Sequence, residues 1–364
     1  MTYLTQSRNS IYIPEIAIME VENIIKNLKH SSPGWDDLPV SIFKEHVQLY
    51  IRPLTYIINE SIRNGIFPDE LKLAKIVPIY KSGDKALPSN YRPISVLSFF
   101  SKVFEKIMYK HLLHFIDSHN LLYKFQFGFR QQYSTSHAII TLVERINSAL
   151  NSGNIIVGVF LDLQKAFDTV NHDLLLKKLY SYGIRGNTLC WFKSYLTNRK
   201  QYVNINKTKS EIKNITCGIP QGSVLGPLLF ILYINDLSTA SKHLFSILFA
   251  DDTSVFLEGK SIEEIVPLIN IELEKLNVWL TANKLTINVL KSHFMIFHRS
   301  RIKKNNYEIK LNHTSVQQVK FTIFLGIIID NKLNFINHIS YVKNKVAKGM
   351  GIILIARKYF NQCV

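Results

Sequence analysis

The 364-residue chain carries 44 lysines and arginines against 27 aspartates and glutamates, a formal net charge of +17. Hydrophobic residues make up 47 %, which supplies a sizeable core, excludes wholesale disorder, and at this length suits two domains or one elaborated one. So one-sided a charge points to a polyanionic partner, nucleic acid first and an anionic membrane surface second.

Cys190, Cys217 and Cys363 are odd in number and far apart. No disulfide framework or Cys/His zinc pattern is expected, and a reducing compartment is. Met1 to Ser10 is polar, with no signal peptide. The longest apolar run, Val224 to Ile234, is interrupted by Gly226 and Pro227. It falls well short of the roughly 20 residues that span a bilayer, so no membrane insertion is expected.

From Glu15 to Leu28 the residues Ile16, Ile18, Val21, Ile24, Ile25 and Leu28 recur at helical spacing. Lys29 to Pro39 is turn-rich; its Asp36-Asp37 pair lacks strand flanks and reads as a turn or cap. Val40 to Asn64 reads as a further helix, and Ala74 to Tyr80 as a short strand. A flexible basic loop, Lys81 to Lys85, leads to Asn90 to Ser95. Lys81 and Arg92 flank this region. Their side chains suit phosphate oxygens, with plain surface charge as the local alternative.

Leu97 to Ile116 is an amphipathic helix. Tyr123 to Arg130 (YKFQFGFR) mixes aromatics, glycine and cations, a composition that suits base stacking or a small packed core. Ser134 to Ser136 opens a helix running to about Leu150. Ile155 to Leu161 (IIVGVFL) is a near-continuous β-rich run, as expected of a strand buried on both faces. It ends in Asp162, a carboxylate that is costly at the exit of a buried strand unless paired or metal-bound. A turn and a helix follow, with Asp168 and Asp173 assigned to capping or exposure.

Trp191 to Tyr195 and Asn198 to Gln201 form an aromatic–basic patch ahead of a strand, Tyr202 to Ile205. Gly218 to Ser223 (GIPQGS) is a Gly/Pro loop feeding a helix, Leu225 to Asp236. Glycine there lets backbone approach a ligand closely, and the helix N-terminus favours an anion. Leu244 to Glu258 (LFSILFADDTSVFLE) reads as a β-hairpin with Asp251 and Asp252 at its turn. Alone, the pair is simply a turn. Two carboxylates held side by side also suit a hard divalent cation, and Asp162 is the best third ligand in the chain. Ile262 to Leu280 is a helix, and Lys291 precedes a strand, Ser292 to His298. Arg299 to Lys304 is a basic run that suits a nuclear address, a nucleic-acid-facing surface or a solvated loop. Phe324 to Asp330 reads as a strand with a glycine inside, and from Asn337 the chain is helical and basic.

Nine segments in a fixed order carry a resemblance: SSPGWDDLP (31–39), IVPIYKSGD (76–84), NYRPISVLS (90–98), QFGFRQQYSTSHAI (126–139), FLDLQKAFDTVNHDLLLKKL (160–179), GIPQGSVLGPLLFILYINDL (218–237), FADDT (249–253), LTINVLKS (285–292) and FLGIIID (324–330). Together they resemble the reverse transcriptase domain of non-LTR (LINE-type) retrotransposons, nearest to jockey-like elements of animals. That resemblance implies an α+β right-hand polymerase with fingers, palm and a partial thumb, and a mainly antiparallel palm sheet. Residues 1–154 would form an N-terminal extension and fingers, 155–335 the palm with an interleaved fingers segment at about 185–212, and 336–364 the start of a truncated thumb.

The resemblance also implies roles. Asp162, Asp251 and Asp252 would be the catalytic carboxylates, holding two Mg²⁺ ions (Mn²⁺ as substitute) with the backbone carbonyl of Leu163. Lys81, Arg92, Phe167, Gln221, Gly222 and Lys291 would contact the nucleotide. Lys81 and Arg92 would clasp its triphosphate, Phe167 would exclude a ribose 2′-hydroxyl, and Lys291 would protonate pyrophosphate. Phe324, Leu325 and Gly326 would grip the primer. The expected partners are an RNA template, a DNA primer and deoxynucleoside triphosphates, and the expected location is the nucleus or a cytoplasmic ribonucleoprotein. Nothing resembles an endonuclease, a complete thumb or a C-terminal cysteine-rich segment. A fragment or degraded copy is therefore expected, and a truncated remnant that only binds nucleic acid is the alternative function.

Overall fold

The computed structural model describes residues 6–206, 208–299, 307–357 and 359. Cys363 and residues 300–304 of the basic run lie outside them. Three helices lead: α1 (Ile18–Asn27), α2 (Val40–Glu45) and α3 (Val47–Asn64). The single helix expected over Val40 to Asn64 is broken at His46, whose φ of −108° and ψ of 22° leave the helical region. Strands β1 (Leu73–Tyr80) and β2 (Tyr91–Val96) follow, then α4 (Phe99–Ser118), α5 (Thr135–Asn151), β3 (Ile155–Asp162), α6 (His172–Tyr182) and α7 (Gly186–Leu196). Ser98, Ser134 and Asn171 start α4, α5 and α6 with side-chain caps, as short polar side chains at such positions do.

The second half holds β4 (Arg199–Ile205), β5 (Thr208–Lys209), β6 (Lys213–Ile215), α8 (Gly226–Ile234), β7 (Phe245–Phe249), β8 (Asp252–Gly259), α9 (Ile262–Ala282) and β9 (His293–Phe297). It closes with β10 (Lys310–Leu311), β11 (Thr314–Ser315), β12 (Gln317–Gln318), β13 (Phe321–Phe324), β14 (Ile327–Asp330) and α10 (Ile336–Ala356).

Two sheets organise these elements, and both are mixed. In the first, β12-β9-β3-β8-β7, only the short β12–β9 pairing is parallel. In the second, β2-β1-β4-β5 with β6 also on β4, strands β1 and β4 run parallel. The central strand β3 alternates between two cores. Val157, Val159 and Leu161 enter the larger one with α4, α6, α8 and α9, while Ile156 and Phe160 enter a second one with α5. This explains the unbroken apolar run, since neither face of β3 meets water and each fully buried Val or Ile contributes about 1.5–3 kcal/mol. Helix α8 (GPLLFILYI) is apolar on all sides and buried at every position but Pro227, as a central core helix must be. Among the described residues no helix is long and apolar enough to cross a membrane.

Two further expectations are corrected. Trp191, Phe192 and Tyr195 are not a surface patch. They sit on α7 with 0 % exposure, Phe67 packed edge-on to Trp191 and Tyr195, and the Arg199 that follows is equally buried. Phe324 to Asp330 is not one strand but the turn and second half of a hairpin. Leu325 and Gly326, at φ +48° and +89°, reverse the chain between β13 and β14. A two-residue turn with both φ values positive is the usual tight hairpin connection, and Gly326 supplies the conformation at no steric cost.

Candidate active site

Asp162 is the last residue of β3, and its partner across the antiparallel ladder is Asp252, the first residue of β8. Asp252 also pairs with Phe249 of β7, so the hairpin is present but its turn is Ala250 and Asp251, one residue earlier than the expected Asp251–Asp252, and Asp252 belongs to the strand. Ala250 is buried at φ +56°, a left-handed value that costs a non-glycine residue about 1 kcal/mol or more. Asp162 is half-buried, and Asp251 and Asp252 are exposed. Although Asp252 is exposed as a residue, its carboxyl is partly desolvated. That burial, then the charges of Asp251 and Asp162, push it above the usual aspartate range, while Lys81 acts in the opposite sense.

The end of β3 is braced by the segment between α9 and β9. The Asp162 N–H donates to Ser292 Oγ at 3.2 Å and its carbonyl accepts from Asn288 N–H at 2.8 Å. Leu163, its side chain buried, bridges Ile287. Asp162 and Asp252 line a cleft of about 170 Å³ together with Lys291, His293, Phe324 and Leu325. His293 stacks on Phe160 with ring centroids 5.3 Å apart, and its Nε2 bonds Thr322 Oγ1. The β13–β14 hairpin is thereby tied over the carboxylates. Gly326, at its tip, is exposed and does not line the cleft.

The other expected nucleotide contacts do not line this cleft; of them only Lys81 acts on Asp252 through its charge. Lys81 and Arg92 are exposed, the first just past β1 and the second on β2 opposite Ile79. Gln221 is held from both ends. Its carbonyl accepts from Ser95 N–H at 2.6 Å, and its Nε2 donates to Asp168 Oδ1 at 3.0 Å. Gly222 has φ +111°, and a Cβ there would lie 2.6 Å from the Ser95 oxygen. Phe167 is half-buried, stacked on Phe230 at 4.4 Å.

Two residues take on roles that the sequence reading missed. Asp168 is not a free cap: it orients the Gln221 amide, and burial raises its carboxyl above the usual range. Glu105, fully buried on α4, accepts from the N–H groups of Val224 (2.6 Å) and Leu225 (3.1 Å). The anion expected at the N-terminus of α8 is therefore the chain's own carboxylate. Burial pushes Glu105 upward, chiefly against the pull of Arg199. A glutamate on the apolar face of a predicted helix was the available signal.

Among the described residues, no three Asp, Glu, His or Cys side chains stand close enough to hold a metal ion as they are. The donor set at the end of β3 and β8 is still of the right kind. Opposed carboxylates, one of them raised by burial and then by its neighbours' charge, are the ligands a hard divalent cation takes, and such a cation would relieve the repulsion between them.

Residues 79–329 match the family described as reverse transcriptase (RNA-dependent DNA polymerase). The RNA-directed DNA polymerase from mobile element jockey of Drosophila melanogaster is 30 % identical over 97 % of this chain and 40 % of its own length. The probable RNA-directed DNA polymerases from transposon BS (31 %) and transposon X-element (29 %) of the same fly match 92 % and 89 % of this chain, and 38 % and 36 % of their own lengths. The chain thus spans about two fifths of the length of these relatives. Their mobile-element names agree with the non-LTR likeness of the motifs. On the matched span and the order of its motifs, the chain belongs to the reverse transcriptase (RNA-dependent DNA polymerase) family.

Proposed function

We propose that this chain performs RNA-templated DNA synthesis, transferring a deoxynucleotidyl group to a primer 3′-hydroxyl as part of a non-LTR retrotransposon protein. The observation that carries the reading is the cross-strand pairing of Asp162 with Asp252 at the mouth of a cleft shared with Lys291, Phe324 and Leu325. In this reading residues 1–154 are an N-terminal extension and fingers, 155–335 the palm with residues 185–212 interleaved from the fingers, and 336–364 the start of the thumb.

Asp162, Asp251 and Asp252, with the Leu163 carbonyl, would hold Mg²⁺ or Mn²⁺. When bound, the metal supplies activation of the primer hydroxyl and charge neutralisation on the triphosphate. The chain's own part is positioning. Lys81 and Arg92 bind triphosphate oxygens, and Phe167 presents a ring edge where a ribose 2′-hydroxyl would fall. The Gln221–Gly222 loop, pinned by Asp168 and Ser95, faces the nucleotide. Lys291 delivers a proton to the leaving pyrophosphate, and the Phe324–Gly326 turn holds the primer end. The +17 net charge supports a salt-sensitive grip on template and primer phosphates. Nuclear action belongs to the same proposal, to be checked by fractionation of cells expressing the chain.

Primer extension on poly(rA)/oligo(dT) with Mg²⁺, with Asp251→Ala as control, tests the activity. Extension by the wild type alone is the expected result. No extension with RNA–DNA binding intact would replace the enzyme by a nucleic-acid-binding remnant.

A further inference from the structure

The turn that carries Asp251 rests on the aromatic segment between α4 and α5. Phe125 to Phe127 runs beside β7. Leu248 N–H donates to the Phe125 carbonyl at 3.0 Å and Phe127 N–H to the Leu248 carbonyl at 2.8 Å, a parallel bridge centred on Gln126. Gln126 has 0 % exposure, and its Oε1 accepts two backbone bonds, from Gly128 N–H at 2.9 Å and Ala250 N–H at 3.3 Å. Both partners are donors, which fixes the orientation of the amide. Its Nε2 is buried without a partner. Burying half an amide unsatisfied is costly, so packing does not account for a glutamine here, whereas the two bonds to Oε1 do.

Gly128 closes the contact. A Cβ on it would lie 2.3 Å from Ala250 N and 2.9 Å from Phe249 C. Ala250 occupies the first position of a two-residue turn at φ +56°, where glycine is the usual residue. Something outside the turn must hold it there.

We infer that Gln126 is a positioning residue: its Oε1 fixes Ala250 N–H, and with it the left-handed turn that sets Asp251 beside Asp252, the residue opposite Asp162, while Gly128 allows the approach. The inference rests on the reading of these aspartates as the reactive carboxylates. It adds a distant part to the site, since Gln126 and Ala250 lie 124 positions apart.

The test compares the full chain as wild type, Gln126→Met, Gln126→Glu and Asp251→Ala. Methionine keeps the length and loses the acceptor, and glutamate, held in its neutral form by so buried a position, keeps the acceptor. In hydrogen exchange read by mass spectrometry, peptides across the 249–252 turn should exchange about ten-fold faster in Gln126→Met, the equivalent of one lost backbone bond. Peptides from β3 should stay unchanged and Gln126→Glu should resemble wild type. This comparison stands whether or not the chain extends a primer. In RNA-templated extension, Gln126→Met should lower kcat about ten-fold with nucleotide KM and RNA–DNA binding unmoved, and Gln126→Glu should recover most of the rate. Unchanged turn exchange, exchange raised equally across the whole sheet, or a wild-type kcat in Gln126→Met would each overturn the inference. Full extension by Asp251→Ala would instead sink the reading of the carboxylates.

Discussion

Asp252→Asn is expected to stabilise the fold while removing its chemistry. Asp252 faces Asp162 across an antiparallel ladder, where opposed Cα atoms lie about 4.5–5.5 Å apart. Two unit charges about 5 Å apart repel by about 0.8 kcal/mol at the dielectric of water and about 3 kcal/mol at an effective dielectric of 20. Asp252 is exposed as a residue although its carboxyl is partly desolvated, so solvent screening holds the gain near the lower figure, about 1 kcal/mol. The sign follows from the raised carboxyl. A group whose folded pKa lies above its unfolded value contributes stability below the unfolded pKa, and loses that contribution as pH rises through the folded one. Near neutral pH the ionised Asp252 therefore lacks that contribution, and the asparagine variant should melt about 2 °C higher. In acid below the unfolded aspartate range, about pH 3, the gain should fade, because the wild-type carboxyl is then protonated as well. Added salt should shrink it at neutral pH. Calorimetric melts at both pH values, without divalent ions, measure this, and primer extension by the same preparations should fall at least about a hundredfold. A lower melting temperature at neutral pH, or a gain that persists in acid, would refute the claim that the opposed carboxylates repel.

Three other outcomes follow from contacts in the structure. Lys178 and Asp236 form an ion pair with no exposure, the ammonium also lying over Tyr233 and Trp279 at 4.9 and 4.7 Å. Lys178→Met should cost about 3–5 kcal/mol in denaturant titrations by stranding Asp236, with Lys178→Met/Asp236→Leu recovering most of it; a single-variant loss below about 1 kcal/mol counts against the pair. Gly222→Ala meets both a positive φ and the Ser95 oxygen, so it should displace the Gln221 loop and raise the nucleotide KM about ten-fold, and an unchanged KM removes that loop from nucleotide binding. Phe167→Val loses its stack on Phe230 and should melt lower. The discriminating readout is incorporation of ribonucleotides relative to deoxynucleotides, which should rise about ten-fold or more if the ring excludes a 2′-hydroxyl and stay level if Phe167 is only a core residue.

Features encoded within one window of sequence were legible. The strand Ile155 to Leu161, the Ser134 cap and the helix of Ile262 to Leu280 stand where periodicity and turn chemistry put them, and the hairpin of Leu244 to Glu258 does too, with its turn one residue earlier, at Ala250 and Asp251. The misreadings were local ambiguities of the same signals. His46 breaks a helix without a Pro or Gly to announce it. The Leu325–Gly326 turn continues an apolar run, so two strands read as one. The rings of Trp191 to Tyr195 suit a surface patch and a buried helix equally well until Phe67 is known to pack on them.

What no window could reveal is the bracing of the site, because it is made of hydrogen bonds between distant residues. Glu105 reaches Val224 across 119 positions, Ser292 reaches Asp162 across 130, and Gln126 reaches Ala250 across 124. In each case a buried or half-buried polar group satisfies backbone that the local fold leaves open: the first amides of α8, the end of β3, and the strained turn before Asp251. The carboxylates could be found from sequence because strand ends have local signatures. Their bracing could not, because a lone glutamine or glutamate among apolar neighbours signals that it has a partner without saying which residue that is. Such a residue is nonetheless informative. A polar side chain buried where an apolar one would pack as well implies a specific partner, and here those partners converge on the backbone around Asp162, Asp251 and the Gln221 loop.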